Sequence, residues 1–256
     1  MKSIALIVFF LRAVSLTYEQ QLTTYYFQNY YCSPSLCQGA GPHVACNPPN
    51  PFGNSCYGKQ PQVVAMTAER RAQILDLHNR QRSLLASGRL PGYYPAAKMP
   101  TLQWDLELQY LAEANARSCN YGHDKCRNTN WSKYVGQNIG VLRFYGLSIS
   151  KGESIKYFID AWFNEYIYAQ PYVDSYPQYY NGPQIGHFTQ IISDRTVKIG
   201  CGLVTFSTYG GDLWTHDYFV CNYSFTNIIG QPAYTKGVSA SQCTTGQSLT
   251  YPGLCN

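Results

Sequence analysis

His187 opens the stretch "GHFTQIISDRTVKIGCGL", residues 186–203. An imidazole is the side chain best suited to move a proton or hold a metal near neutral pH. A lone histidine at the head of an apolar run is usually structural, so its chemistry depends on which other polar groups reach it. Glu165 is one such group. Trp162 and Tyr166 flank it on the apolar side of a helical pattern, which argues for a buried, paired carboxylate. Hydrolytic machinery is not evident: the chain has no G-x-S-x-G elbow and no H-E-x-x-H helix, so no catalytic residue is assigned and the protein is read as a non-enzyme. His78 reads as a hydrogen-bonding histidine beside the core, and His43 and His216 as surface residues.

The ten cysteines, at 32, 37, 46, 56, 119, 126, 201, 221, 243 and 255, are even in number. Five disulfides are the natural reading in a secreted chain, since structural zinc would want Cys-x-x-Cys knuckles and there are none. Secretion is expected from Met1–Ser15, where Lys2, the apolar run Ile4–Leu11 and the small residues Ala13 and Ser15 make a signal peptide. No later run is apolar for long enough to span a membrane. The net charge of +5, or +3 without Lys2 and Arg12, comes with no basic run and no zinc-finger spacing, which argues against nucleic acid. With 45% hydrophobic and 13% charged residues the chain can bury a sizeable core.

These groups need elements to position them. Residues 16–66, rich in Pro, Gly, Asn and Cys, read as an irregular, disulfide-pinned N-terminal extension. Thr67 is a helix N-cap, with Ile74, Leu77, His78, Gln81, Leu84 and Leu85 at helical spacing and Gly88 as the stop. Further helices are expected over 104–118 and 153–168, and strands over 187–192, 197–206 and 218–224. Tyr209–Asp212 is a turn centred on Gly211, so a regular hairpin would set Cys201 opposite Cys221, close enough to bridge. Helices first and sheet later suggest an α+β sandwich, with a polar tail over 231–256.

Several motifs together carry a resemblance. "HNRQR" lies at 78–82, "CNYGHDKCR" at 119–127, "VGQNIG" at 135–140, "GHFTQII" at 186–192, "IGCGL" at 199–203 and "YFVCNYSFTNIIG" at 218–230. This combination resembles the CAP superfamily of cysteine-rich secretory proteins, antigen 5 and pathogenesis-related 1 proteins. "YCSPSLCQ…HVACN…C" at 31–56 is similar to the insect antigen 5 branch in particular. The resemblance implies a three-layer α-β-α sandwich over 67–230. It also implies the pairings Cys32–Cys46, Cys37–Cys126, Cys56–Cys119 and Cys201–Cys221, which leaves Cys243–Cys255 by elimination. It further implies a cavity lined by two histidines and two acidic residues, carried here onto His123, His187, Glu165 and Gln137. Gln137 stands where most members of the family have Glu, so this site carries one carboxylate fewer. Zinc or another divalent cation at His123 and His187 is an expectation, with no cofactor required. Ser193 stands where the family usually has Trp, which puts the shape of the cavity in question.

The tyrosines around residues 168–186 suggest a ligand rim, at Tyr168, Tyr172, Tyr176, Tyr179 and Tyr180. The leading expectation is a monomeric extracellular protein that binds a small hydrophobic ligand: a sterol, fatty acid or eicosanoid, as the family resemblance implies. The alternatives are a scaffold for an extracellular protein partner and, third, a cation-dependent hydrolase. Of two glycosylation sequons, Asn130 lies in a loop and is expected to be used, whereas Asn222 lies in a predicted strand and is expected bare.

Overall fold

The computed structural model describes residues 30–256, and the expected signal at 1–15 lies outside them. A short helix α1 (Pro34–Cys37) and the strand β1 (Gln62–Val64) lead into α2 (Ala68–Ala86). The order then runs β2 (Gln103–Trp104), α3 (Leu106–Ala116), β3 (Gly136–Phe144), α4 (Lys151–Asn164), α5 (Tyr166–Ala169), α6 (Gly186–Ile191), β4 (Lys198–Tyr209) and β5 (Leu213–Tyr223). The strands pair in the order β1-β4-β5-β3, all antiparallel, with β2 alongside the start of β4 in parallel. Helix α3 packs on one face of the sheet, and α2, α4 and α6 cover the other. The result is a mixed α-β-α sandwich.

Local chemistry explains where the main helices begin. The Thr67 hydroxyl accepts from the Arg70 N–H at 3.4 Å at the head of α2. Ser150 and Glu153 form a reciprocal capping box at the head of α4. Helix α3 lies so close to β4 that a Cβ on Gly200 would sit 2.1 Å from the Gln109 nitrogen, and one on Gly202 2.5 Å from the Glu113 nitrogen. Only glycine permits that approach.

Five disulfides join Cys32–Cys46, Cys37–Cys126, Cys56–Cys119, Cys201–Cys221 and Cys243–Cys255. The hairpin register sets Cys201 directly opposite Cys221, both fully buried.

Strand β3 was not among the expected elements, and four of the expected ones need correction. Residues 186–191 are helix α6, not a strand. Trp104 belongs to β2, and the helix after it starts at Leu106 because Asp105 caps it, its carboxylate accepting from the Leu108 N–H at 2.9 Å. The helix expected over 153–168 spans Lys151–Asn164 and breaks at Glu165 before the short α5. The segment 231–256 is not simply a polar tail: Tyr234 and Leu254 are buried in the core, where Tyr234 donates to the Tyr94 carbonyl.

Two buried polar side chains in α2 hold the layers in register. Arg82 is fully buried, and its guanidinium donates to four backbone carbonyls: Ile191 and Pro100 at 2.7 Å, Ser193 at 2.8 Å and Thr196 at 3.3 Å. His78 is also fully buried, with Nδ1 donating to the Ile74 carbonyl and Nε2 accepting from the Tyr223 hydroxyl at 2.9 Å. Burial pushes its pKa down to about 4, so the ring is neutral at physiological pH. His43 is buried rather than at the surface; its ring stacks on Tyr31 and bonds to the Asn128 carbonyl and the Ala45 N–H. His216 is half-buried, stacked on Phe206.

Candidate functional site

An open cavity of about 650 Å³ lies between β3, the start of α6, the loop 176–186 and the segment after β5. His123, Gln137 and His187 line it, together with Asn138, Arg127, Gln190 and Asn227. Of the expected tyrosine rim, only Tyr176 and Tyr180 reach the cavity. Tyr172 stands behind Tyr180 in an edge-on ring contact at 4.8 Å. Tyr168 and Tyr179 point to solvent, so no continuous apolar groove runs along 168–180.

The site is built from two side-chain pairs. Glu165, at the break between α4 and α5, stands behind His187. One carboxylate oxygen lies 2.6 Å from His187 Nδ1, and the other accepts the backbone N–H groups of His187 at 2.9 Å and Phe188 at 3.1 Å. The same carboxylate therefore caps α6 and orients the ring at its head. This explains why residues 186–191 coil: their cap comes from far back in the chain. Trp162 stacks on the other side of the ring at 5.7 Å.

His123 is held by Gln137. Its Nδ1 lies 2.8 Å from Gln137 Oε1. The amide of Gln137 is fixed from its nitrogen end, which donates to Asp124 at 2.7 Å and to Asn222 Oδ1 at 3.0 Å. Asn222 is oriented in turn by donating to the Leu108 carbonyl. Asp124 also takes Arg127 at 2.8 Å and Asn115 at 2.9 Å. Sequence reasoning missed Asp124, although it adjoins His123 in "GHDK". Its carboxylate supplies, one amide removed, the negative charge that Gln137 lacks.

Both rings are thereby steered to one tautomer. A carboxylate and an amide oxygen can only accept, so neutral His187 and neutral His123 each carry the proton on Nδ1. Each Nε2 is left with a lone pair and no protein partner among the described residues. His123 has its pKa below the usual histidine range, because partial burial of the ring disfavours the charged form and Arg127 and His187 add repulsion.

The donor set the two rings offer a divalent cation is two nitrogens. It does not fit a structural zinc, which takes four protein ligands. Both oxygens of Glu165 are engaged elsewhere, and among the described residues no group of three or more His, Cys, Asp or Glu is arranged to hold a metal. Ser193 does not line the cavity. It is buried under α2, where its carbonyl accepts from Arg82. Asn130 is exposed, whereas Asn222 is buried inside the Gln137 network.

Known proteins resemble this chain in sequence and in fold. The CAP, or cysteine-rich secretory protein, family matches residues 75–223. "Venom allergen-1" of Aedes albopictus is 47% identical over 227 residues, covering 88% of this chain and 87% of its own length. "Antigen 5 like allergen Cul n 1" of Culicoides nubeculosus is 39% identical over 186 residues, covering 69% of this chain and 84% of its own. Among solved structures, NaASP2 crystallised with Zn2+ superposes with a TM-score of 0.56 at 25% identity, over 74% of this chain and 96% of that one.

Proposed function

The chain belongs to the cysteine-rich secretory protein (CAP) family, antigen 5 branch, and on that premise we propose that it is a secreted, non-enzymatic protein that takes an amphipathic small molecule into the cavity between His123 and His187. The observation that carries this reading is the lining of the cavity. Ile185, Ile229, Tyr176 and Tyr180 contribute apolar surface to it, and the two imidazoles, Gln137 and Asn138 contribute polar groups. A sterol or a simple hydrocarbon would leave the polar side unmatched, at a cost of about 1–3 kcal/mol for each group stripped of water without a new partner. Among the ligands expected from sequence, this favours those with a strongly polar head, such as a fatty acid or eicosanoid.

Secretion is supported by the leader-like start of the sequence and by the venom and allergen names of its relatives. No helix among the described residues is long and apolar enough to cross a membrane. The absence of a G-x-S-x-G or H-E-x-x-H motif supports the non-enzymatic reading. A divalent cation, if it enters, would sit on the Nε2 atoms of His123 and His187, orient the ligand's polar end and exchange readily.

The test is native mass spectrometry of the protein secreted from insect cells, with solvent extraction of the same sample. One small molecule per chain is expected, and Tyr180→Asp should lose it. Replacing the outward Tyr168 and Tyr179 with serine should leave it in place, which separates this reading from protein docking at those rings. An empty protein that also resists loading with sterols, fatty acids, fatty alcohols and fatty amines contradicts the proposal.

A further inference from the structure

The sheet face that α3 covers extends past the end of the helix. A Cβ on Gly200 would meet Gln109 and one on Gly202 would meet Glu113, so α3, which ends at Ala116, runs out near Val204. Phe206 and Thr208 continue that face at the strand period of two. The register sets His216 opposite Phe206, and Arg143 opposite His216. Lys59 joins from the other side: its carbonyl accepts the Ser207 N–H at 2.7 Å, and its ammonium lies 5.3 Å from the centre of the Phe206 ring. Lys59, Phe206, His216 and Arg143 therefore form one row across four adjacent segments, roughly 14 Å long at about 4.8 Å per step. In the next row, Trp214 carries the Arg143 guanidinium on its ring at 4.2 Å, and Tyr145, 50% exposed, packs against it at 5.5 Å.

The row is cationic and carries no counter-charge. Among the described residues, neither Lys59 nor Arg143 has an ion-pair partner. Asp217 adjoins His216 in β5 but turns to the opposite face of the sheet, where Lys151 takes it. Burial lowers the pKa of His216, and repulsion from Arg143 and Lys59 lowers it further, so both cations act on the same ring. An anion held over that ring would cancel the repulsion.

We propose that this face binds a sulfated glycan, with sulfate groups held between Lys59 and Arg143 over His216 and a sugar ring against Tyr145. None of these residues lines the cavity, so the proposal does not depend on the small-molecule reading. A linear polyanion matches a straight row of cations, and an exposed aromatic ring beside the row offers an apolar surface with a polar edge to a sugar. An anionic membrane matches less well. The tip of the β4–β5 hairpin, next to the row, presents the exposed carboxylate of Asp212, and the cations lie behind it on the flat of the sheet.

The experiment titrates the secreted protein with a heparin hexasaccharide at pH 7.5 in low salt, beside the same hexasaccharide stripped of sulfate and vesicles of phosphatidylserine in phosphatidylcholine. Binding is followed by NMR. The sulfated glycan is expected to move the His216 ring and Trp214 indole signals, to raise the pKa of His216, and to be released by about 1 M salt, which screens exposed charges. Lys59→Gln combined with Arg143→Gln should weaken binding about tenfold or more, each exposed contact accounting for up to about fivefold. Lys98→Gln combined with Lys125→Gln removes the same charge from exposed residues elsewhere and should change it by about twofold or less, which separates a built site from overall net charge. Equal losses in the two double variants would overturn the proposal. So would desulfated glycan binding as tightly, a preference for the vesicles, or no binding of the sulfated glycan at all.

Discussion

Replacing Arg82 with methionine is expected to cost about 3–5 kcal/mol of folding stability, one of the largest single-residue effects in the molecule. The guanidinium is fully buried and ties α2 to four carbonyls in the segments 100 and 191–196. Methionine fills a similar volume but leaves those carbonyls without their donor, at about 1–3 kcal/mol for each one that stays buried. The relief of a buried charge offsets part of that loss. The net remains unfavourable because Arg82 makes several bonds where a buried ion pair makes one or two. Burial pushes the guanidinium down to about 9, so it is still charged at neutral pH. Arg82→Lys should cost about 2–3 kcal/mol, since one ammonium cannot span the same fork. Urea unfolding of both variants with the disulfides intact measures this, and a loss below about 1 kcal/mol for Arg82→Met would contradict it. The segment it holds follows α6 directly, so the substitution should also loosen His187.

Gln137→Glu is expected to destabilise the protein by about 2–3 kcal/mol at pH 7, although most members of the family are expected to carry Glu there. The reason is Asp124, which accepts from the Gln137 amide nitrogen at 2.7 Å. A carboxylate at 137 would face another carboxylate at that distance, and one of the two would have its pKa raised above the unfolded value. The penalty is therefore full above the raised pKa and vanishes once the pH falls below the unfolded carboxylate range, near 4. Adding Asp124→Asn should recover at least half of the loss, because an amide there can donate to the new carboxylate. Recovery stays partial, since Asn115 also donates to Asp124 and would lose its acceptor. Urea midpoints of the two single variants and the double variant at pH 7 and pH 4 make the cycle. A Gln137→Glu protein as stable as wild type at pH 7 would show that Asp124 does not set the identity of residue 137.

Much of the fold could be read from the sequence, for identifiable reasons. The Thr67 cap, the apolar face of α4 and the hairpin symmetry about Gly211 are local signals, and each led to the right element type or register. Helix α6 was not legible, because Glu165, which caps it, is 22 residues upstream. Strand β3 was missed because its first five residues, including Gly136 and Gly140, are all buried, so they show no alternation. His43 looked like a surface histidine among prolines and glycines, yet Tyr31 covers its ring. At the site, the family motifs led to His123, Gln137 and His187, and the structure sets all three on one cavity. They could not indicate that Glu165 stands behind a ring rather than in the cavity. Nor could they reveal Asp124, whose role depends on which end of the Gln137 amide faces it. Only Tyr176 and Tyr180 of the five tyrosines line the cavity, a distinction that composition could not make because it does not record which way each ring turns.

The account depends on one arrangement: an amide and a carboxylate hold both cavity histidines with the proton on Nδ1, leaving two Nε2 lone pairs facing the ligand. Long-range 1H–15N correlation of the histidine rings, at a pH where His123 and His187 are both neutral and then on acidification, reads this directly. The predicted result is the Nδ1–H tautomer for His123 and His187, with His123 gaining its second proton only below its ordinary pKa of about 6.5. Finding either ring protonated on Nε2 in its neutral form would put a donor where the account needs an acceptor, and would contradict it.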